Sequence, residues 1–332
     1  MKSQRRSPLT ILLLFVLAFS LLQSAAFSED SYSVLRSGSR GQKVLKLQER
    51  LSELGYYTGK LDGDFGSGTR SAVRAFQRRN GLEEDGITGI QTQEALFSAE
   101  AVPVPDHVEP TDVLSGALPL LVNQDHPVDE YFVPADLILM TDVCDPKLVK
   151  IKYADTQVVR TAAEAMIRML EAAREDGITK WQVSAAYRSY EKQVRTLNAK
   201  ISFYLRKNSG WSRARARRAA LRTVAEPGSS EHHLGLAIDI NVPGVSSFAG
   251  TKQCAWLHAH CWEYGFIIRY PKGKESITGF DAEAWHIRYV GVSHAKAMQE
   301  QDLCLEEYLQ GIENGTINPP SALLEEDIIL DD

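Results

Sequence analysis

The segment that most constrains this chain is Leu236-Ala-Ile-Asp-Ile240. It is short, apolar and alternating, so it reads as a strand packed in a core. Its fourth residue is nevertheless an aspartate. An unpaired carboxylate in such a strand is costly, so Asp239 needs compensation, and a metal ion supplies it. On a strand, Ala237 and Asp239 share one face while Ile238 and Ile240 share the other. Gly235 stands just before and permits close packing or an unusual backbone angle. Upstream lies Ser230-Glu-His-His-Leu234, and a second segment, Glu283-Ala-Trp-His-Ile-Arg-Tyr-Val290, pairs a carboxylate with an imidazole three residues later. Two imidazoles, one carboxylate and water make a catalytic zinc site. Zinc lowers the pKa of water and polarises a carbonyl. A further carboxylate that does not bind the metal can then move a proton from water to a leaving amine. Spacing alone does not select these residues from a chain with eight histidines.

The rest of the chain divides by pattern. Residues 34–97 predict a compact module of three helices. Val44, Leu45, Leu47, Leu51 and Leu54 recur at helical spacing and Gly55 closes that helix. The Gly59–Gly66 loop follows, and Thr69 is expected to cap a second helix carrying Ala72, Val73 and Phe76. A short third helix starts near Asp85-Gly86-Ile87-Thr88 and ends near Leu96. Residues 98–118 are proline-rich, without amphipathic period, and read as a linker. Residues 119–310 mix helices (about 157–175, 190–205 and 212–224) with strands (182–185, 236–240, 266–269 and 285–290). No βαβ period repeats, so the larger unit is α+β. Residues 311–332 read as an acidic tail.

These motifs carry two resemblances. The module resembles the peptidoglycan-binding domain of wall hydrolases through Gly41, Val44, Leu47, Gln48, Leu51, Gly55, Asp62-Gly-Asp-Phe-Gly66, Thr69, Val73, Phe76-Gln77, Asn80-Gly-Leu82, Asp85-Gly86 and Thr88. Ser-x-His-x-x-Gly-x-Ala-x-Asp followed by Glu-x-Trp-His closely resembles the VanY-type D-alanyl-D-alanine carboxypeptidases, relatives of lysostaphin-type endopeptidases and hedgehog domains. That resemblance extends over 119–310 and takes in Leu121-Val-Asn-Gln-Asp125, Val133-Pro134, Ala186-Tyr-Arg-Ser-Tyr190 with Gln193, Gly265–Pro271 and Arg288–Gly291.

The second resemblance implies that His232, Asp239 and His286 hold Zn2+ and that Glu283 is the general base and acid. Arg188 would face the substrate as a planar fork for a carboxylate or oxyanion. Gln193 and Ser230 would help hold the terminal D-alanine. The implied reaction is hydrolysis of the terminal D-Ala-D-Ala bond of peptidoglycan stem peptides. One departure is Ala284, where the family often has proline, which is expected to loosen the loop carrying Glu283. Rival readings are a D,D-dipeptidase, an L,D-carboxypeptidase or a wall endopeptidase of the same chemistry, and a non-catalytic wall-binding or zinc-stabilised protein. A purely structural site needs no base, so Glu283 speaks against the last. His233 would point away from its neighbour, and His258, His260 and His294 fall in helical stretches.

Lys2, Arg5 and Arg6, the apolar run Leu9–Leu22 and the small residues Ser24-Ala-Ala26 have the layout of a secretory signal peptide over residues 1–26. An uncleaved membrane anchor is the alternative, and either places the folded part outside the cytoplasm. The net charge of −6 becomes more negative without that segment, which argues against nucleic acid as a partner. The basic run Arg206, Lys207, Arg213, Arg215, Arg217, Arg218 and Arg222 reads first as a solvated helix surface, with anionic wall polymers as the alternative. Cys144, Cys254, Cys261 and Cys304 could form two disulfides or stay as buried thiols. A 254–261 bridge is the least favoured pairing, because seven helical residues span about 10.5 Å.

Overall fold

A computed structural model describes residues 33–105 and 109–320. The expected signal segment, 1–26, and the acidic stretch 321–332 lie outside the described residues. The chain divides into two compact units, Met1–His107 and Val108–Asp332.

The first unit packs α1 (Gln42–Glu53), α2 (Ser67–Arg79) and α3 (Ile90–Phe97) around Val44, Leu47, Leu51, Phe65, Val73, Phe76 and Leu96. Two buried glutamines organise it. Gln48 Nε2 donates to Asp62 Oδ1 and Thr69 Oγ1, and its Oε1 accepts from the N–H groups of Asp62 and Gly63. Gln77 repeats the arrangement with Asp85, Thr92 and the Gly86 N–H. Thr69 is therefore not a cap. It lies inside α2, whose N-cap is Gly66, and its hydroxyl serves the buried glutamine. Part of the expected linker belongs to this unit too: Ala101 is buried in its core and the Val104 N–H bonds Leu54 O.

In the second unit, β1 (Leu137–Leu139) pairs antiparallel with β3 (Gln157–Val159). The short helix α4 (Met140–Val143) and β2 (Val149–Ile151) lie between them in sequence. A five-stranded sheet has the order β2-β4-β5-β7-β6, with β4 Trp181–Ala185, β5 Ala237–Asn241, β6 Phe266–Tyr270 and β7 Glu283–Tyr289. The β2–β4 pair is parallel and the other pairs are antiparallel. Helix α5 (Arg160–Glu175) buries Ala162, Ala165, Met166, Met169 and Leu170 in the same core as Val183, Ile238, Ile240 and Ile287. Ile238 and Ile240 thus face α5, which leaves Ala237 and Asp239 for the opposite side of β5. This is the α+β architecture expected. Val113, inside the expected linker, is buried in this core.

Helices α6 (Tyr190–Lys207) and α7 (Arg213–Ala220) form a hairpin, and α8 (Lys252–His260), α9 (Glu275–Thr278), α10 (Val292–Glu300) and α11 (Leu305–Glu313) complete the unit. Order continues past Glu313 into residues assigned to the tail: the Ile317 N–H bonds Gly311 O. All four cysteines are free and buried. In the basic run, Arg217 pairs with Glu226, Arg222 with Asp281, Arg213 donates to Asn198, and Arg215 lies 4.4 Å from the Trp211 ring centre.

Candidate metal and catalytic site

Three elements converge above the centre of the sheet. Asp239 on β5 is the direct cross-strand partner of His286 on β7. His232 comes from a 3-10 turn, Glu231–Leu234, that folds over them. Gly235 ends that turn at φ 65°, and a Cβ there would stand 2.9 Å from Leu137 Cδ2. Both facts require glycine, since left-handed backbone is strained for other L-residues.

The turn is clipped to the segment after β4. His232 Nδ1 donates to Ala186 O at 2.7 Å, the Arg188 N–H donates to His232 O at 2.9 Å, and His233 Nδ1 donates to Arg188 O at 2.7 Å. With Nδ1 protonated by this pairing, His232 Nε2 is free and lies 3.5 Å from Asp239 Oδ2. His286 Nδ1 lies 3.1 Å from Asp239 Oδ1. One donor atom from each residue falls within 4.8 Å of the others. Two ligands about 2.0–2.1 Å from a common tetrahedral zinc stand roughly 3.4 Å apart, close to both separations. Asp239 Oδ1 is buried without a hydrogen-bond partner, as expected of an atom meant for a cation. The set fits zinc.

Electrostatics agree. Burial and the nearby Arg188 charge lower His232, which favours the neutral, ligating imidazole. Burial alone would raise Asp239, but His232 and His286 outweigh it and hold the carboxyl well below the usual range. Burial alone would lower His286, but in the metal-free protein the Asp239 carboxylate 3.1 Å away and the Glu283 charge outweigh it and raise the group.

Glu283 opens β7, and its Oε2 lies 3.6 Å from His286 Nδ1. Burial pushes its carboxyl up to about 7; Asp239 adds to the rise, while His286, Lys200 and Arg188 oppose it. On a regular strand, positions 283 and 286 would face opposite sides. The register changes from Ile268↔Ile287 to Tyr270↔Glu283, an irregularity that brings Glu283 to the metal side. The expected loosening at Ala284 does not occur. Glu283 is in a paired strand, and His258 Nε2 donates to Ala284 O at 3.0 Å.

Arg188 is partly buried and within the fields of Asp239 and Glu283. Its Nη1 donates to Gln193 Oε1 at 2.8 Å, and Gln193 Nε2 donates to Ala225 O at 2.7 Å. Gln193 is 0% exposed and both ends of its amide are engaged, so it braces Arg188. Ser230 precedes the turn, buried, with its carbonyl accepting the His233 N–H. His233 stays out of the donor set: Nδ1 is taken by Arg188 O, and Nε2 accepts the Gly228 N–H at 3.1 Å. Its neighbourhood is a 3-10 turn, where an extended segment was expected.

Sequence reasoning missed a buried charge cluster beneath His286. Glu231 Oε1 lies 2.8 Å from Arg269 Nε and 2.9 Å from Arg288 Nη1, and Arg269 also reaches Glu306 at 2.6 Å. The available signal was charged residues in otherwise apolar strands, Arg269 and Arg288, which need partners as Asp239 does.

Residues 155–292 match the family described as VanY, D-alanyl-D-alanine carboxypeptidase, and residues 40–96 match the "Putative peptidoglycan binding domain". A D-alanyl-D-alanine carboxypeptidase of Enterococcus faecalis is 45% identical over 141 residues, covering 42% of this chain and 51% of that protein. The match therefore spans about half of that relative's length. The Bacillus subtilis protein named "Putative carboxypeptidase YodJ" is 34% identical over 198 residues, covering 58% of this chain and 67% of its own. A crystal structure of a vancomycin-resistance D,D-pentapeptidase VanY variant in complex with Zn(II) is 37% identical, with 57% of this chain and 97% of that chain covered and a TM-score of 0.47.

Proposed function

This chain belongs to the VanY family of D-alanyl-D-alanine carboxypeptidases, and from that premise we propose that it hydrolyses the terminal D-Ala-D-Ala bond of peptidoglycan stem peptides and releases D-alanine. What carries the reading is the meeting of His232, Asp239 and His286 in one donor set, with the Glu283 carboxylate 3.6 Å from His286. His232, Asp239 and His286 would hold Zn2+, which supplies Lewis acidity toward a carbonyl and a lowered pKa for water.

The remaining roles follow from this chain's own groups. Arg188, braced by Gln193, offers a charged fork to the free carboxylate of the last D-alanine. Ser230 stands beside the turn as a further contact to that residue. Glu283 accepts a proton from the attacking water and returns it to the departing amine. Burial holds that carboxyl up to about 7 in the metal-free protein, which brings it toward the range where one group can both accept and return a proton. No acylated side chain is required.

Residues 34–97 would anchor the enzyme to the wall and raise the local concentration of stem peptides around residues 119–310. The layout of residues 1–26 supports export to the cell envelope or beyond. Among the described residues, no helix is long and apolar enough to cross a membrane.

The test is release of D-alanine from a defined pentapeptide, followed by mass spectrometry, on protein with measured zinc content. Glu283→Ala should keep zinc at wild-type stoichiometry and lose at least about 10³-fold in kcat. Undiminished turnover by that variant removes Glu283 from the reaction, and cleavage only elsewhere in the muropeptide reassigns the bond.

A further inference from the structure

Glu231, Arg269, Arg288 and Glu306 form a compact set of four charges, and the side chains of Glu231, Arg269 and Arg288 are 0–1% exposed. Such clusters contribute little net stability, because desolvation offsets their attraction. A buried cluster of this kind asks for a role besides stability, and its position supplies one. The β6–β7 register pairs Ile267 with Arg288 and Ile268 with Ile287. Arg269 follows Ile268 on the strand next to β7, where that register shifts, and Arg288 lies two residues beyond His286 on the same face of β7. Glu231 pairs with both arginines through Oε1.

Three buried polar atoms there lack a hydrogen-bond partner: Glu231 Oε2, His286 Nε2 and Arg269 Nε, the last in ion-pair contact with Glu231 Oε1 at 2.8 Å. His286 turns Nδ1 toward Asp239 and Glu283, so a ring that donates its Nδ1 lone pair to a metal carries its proton on Nε2. Burying that N–H without an acceptor is unfavourable. The carboxylate oxygen that is free to take it belongs to Glu231. The two groups also feel each other's charge.

We propose that Glu231 is a positioning residue that accepts the His286 Nε2–H when the metal is held, fixing the ring's tautomer and orientation. Arg269 and Arg288 hold the carboxylate by its other oxygen, Oε1, and leave Oε2 for the imidazole. Glu306 pairs with Arg269, so that two carboxylates balance two guanidiniums. The turn would thus serve the metal twice: His232 as ligand and its neighbour Glu231 as support for the ligand across the sheet. Carboxylate–histidine support of this kind contributes roughly 10- to 100-fold to metal affinity.

This inference rests on the reading of His286 as a ligand, and the test separates the two. In the full-length wild-type protein loaded with zinc alone, 15N-resolved NMR of His286 should show a proton on Nε2 that is protected from exchange and shifted downfield. In Glu231→Gln, zinc affinity measured by chelator competition should fall about 10- to 100-fold, and that Nε2–H signal should move. Glu231→Asp, which keeps the charge but shortens the reach, should recover part of the affinity. If wild type does not bind zinc through His286, the ligand reading fails. If zinc binds there and Nε2 carries no protected proton, or if Glu231→Gln lowers only thermal stability and leaves zinc affinity intact, this inference alone is overturned. The wild-type spectrum decides even where a variant does not fold.

Discussion

At the scale of single residues, the site depends on groups whose ionisation the fold has moved. Without metal, burial and Asp239 raise Glu283 to about 7, against the pull of His286, Lys200 and Arg188. A dication added beside it favours the carboxylate. Titration of 13C-labelled Glu283 should therefore give a midpoint near 7 in zinc-free protein and a value lower by about one unit or more with zinc. A midpoint unmoved by zinc would place Glu283 out of reach of the ion. Arg188 depends on its brace in the same way. Gln193→Leu removes the acceptor for Nη1 and should raise KM by roughly tenfold or more, with a smaller change in kcat, since misaligning a substrate clamp is costly. Equal loss in kcat and no change in KM would instead give Gln193 a part in the chemical step.

At the scale of elements, turns and strand irregularities place the functional side chains. The 3-10 turn ends on a left-handed Gly235 pressed against Leu137 and Val159. Gly235→Ala meets both strain and overlap, and should destabilise the second unit by about 2–3 kcal/mol. The urea midpoint should fall at an unchanged slope, with loss of zinc binding because His232 and Asp239 stand on either side of Gly235. The first unit offers a parallel case. Gln48 and Gln77 each close an Asp-Gly loop onto a helix by the same set of bonds. Replacing either with leucine strands buried backbone donors and should cost about 1–3 kcal/mol per site, seen by calorimetry as a lower midpoint for that unit.

At the scale of the molecule, buried carboxylates set the acid limit. Burial alone would raise Glu231 and Asp239, yet Arg269 and Arg288 in one case and the two histidines in the other hold both below their ordinary range. Unfolded chains take up these protons near pH 4, whereas the folded protein resists until lower pH. The stabilisation is therefore present above that range and lost as pH falls through it. The zinc-free protein should melt progressively lower below about pH 4, and Glu231→Gln should flatten part of the decline. A melting temperature independent of pH there would show that neither carboxylate is held as described. The two-unit organisation has its own consequence. A chain lacking residues 34–97 should hydrolyse soluble pentapeptide at the full rate and act more slowly on intact walls, as expected when tethering supplies local concentration.

Much of this was legible in the chain itself. Helical periods marked α1, α2 and α5, and an aspartate in an apolar strand announced a compensating group, because burial of a lone carboxylate is prohibitive wherever the strand lies. The motif residues identified the donor set. What the tertiary structure decided was everything that depends on pairing between distant segments. The register sets Asp239 against His286, and the β6–β7 irregularity turns Glu283 to the metal side against the strand's own alternation. Thr69 reads locally as a cap and becomes a partner for Gln48. Gln193 reads locally as a ligand contact, and the fold adds its bond to Arg188. Glu231, Arg269, Arg288 and Glu306 have no common motif and meet only because two strands, a turn and helix α11 bring them together. Periodicity and burial cost are properties of a short stretch of chain, whereas register, bulges and charge clusters are set by which stretches the folded core allows to touch.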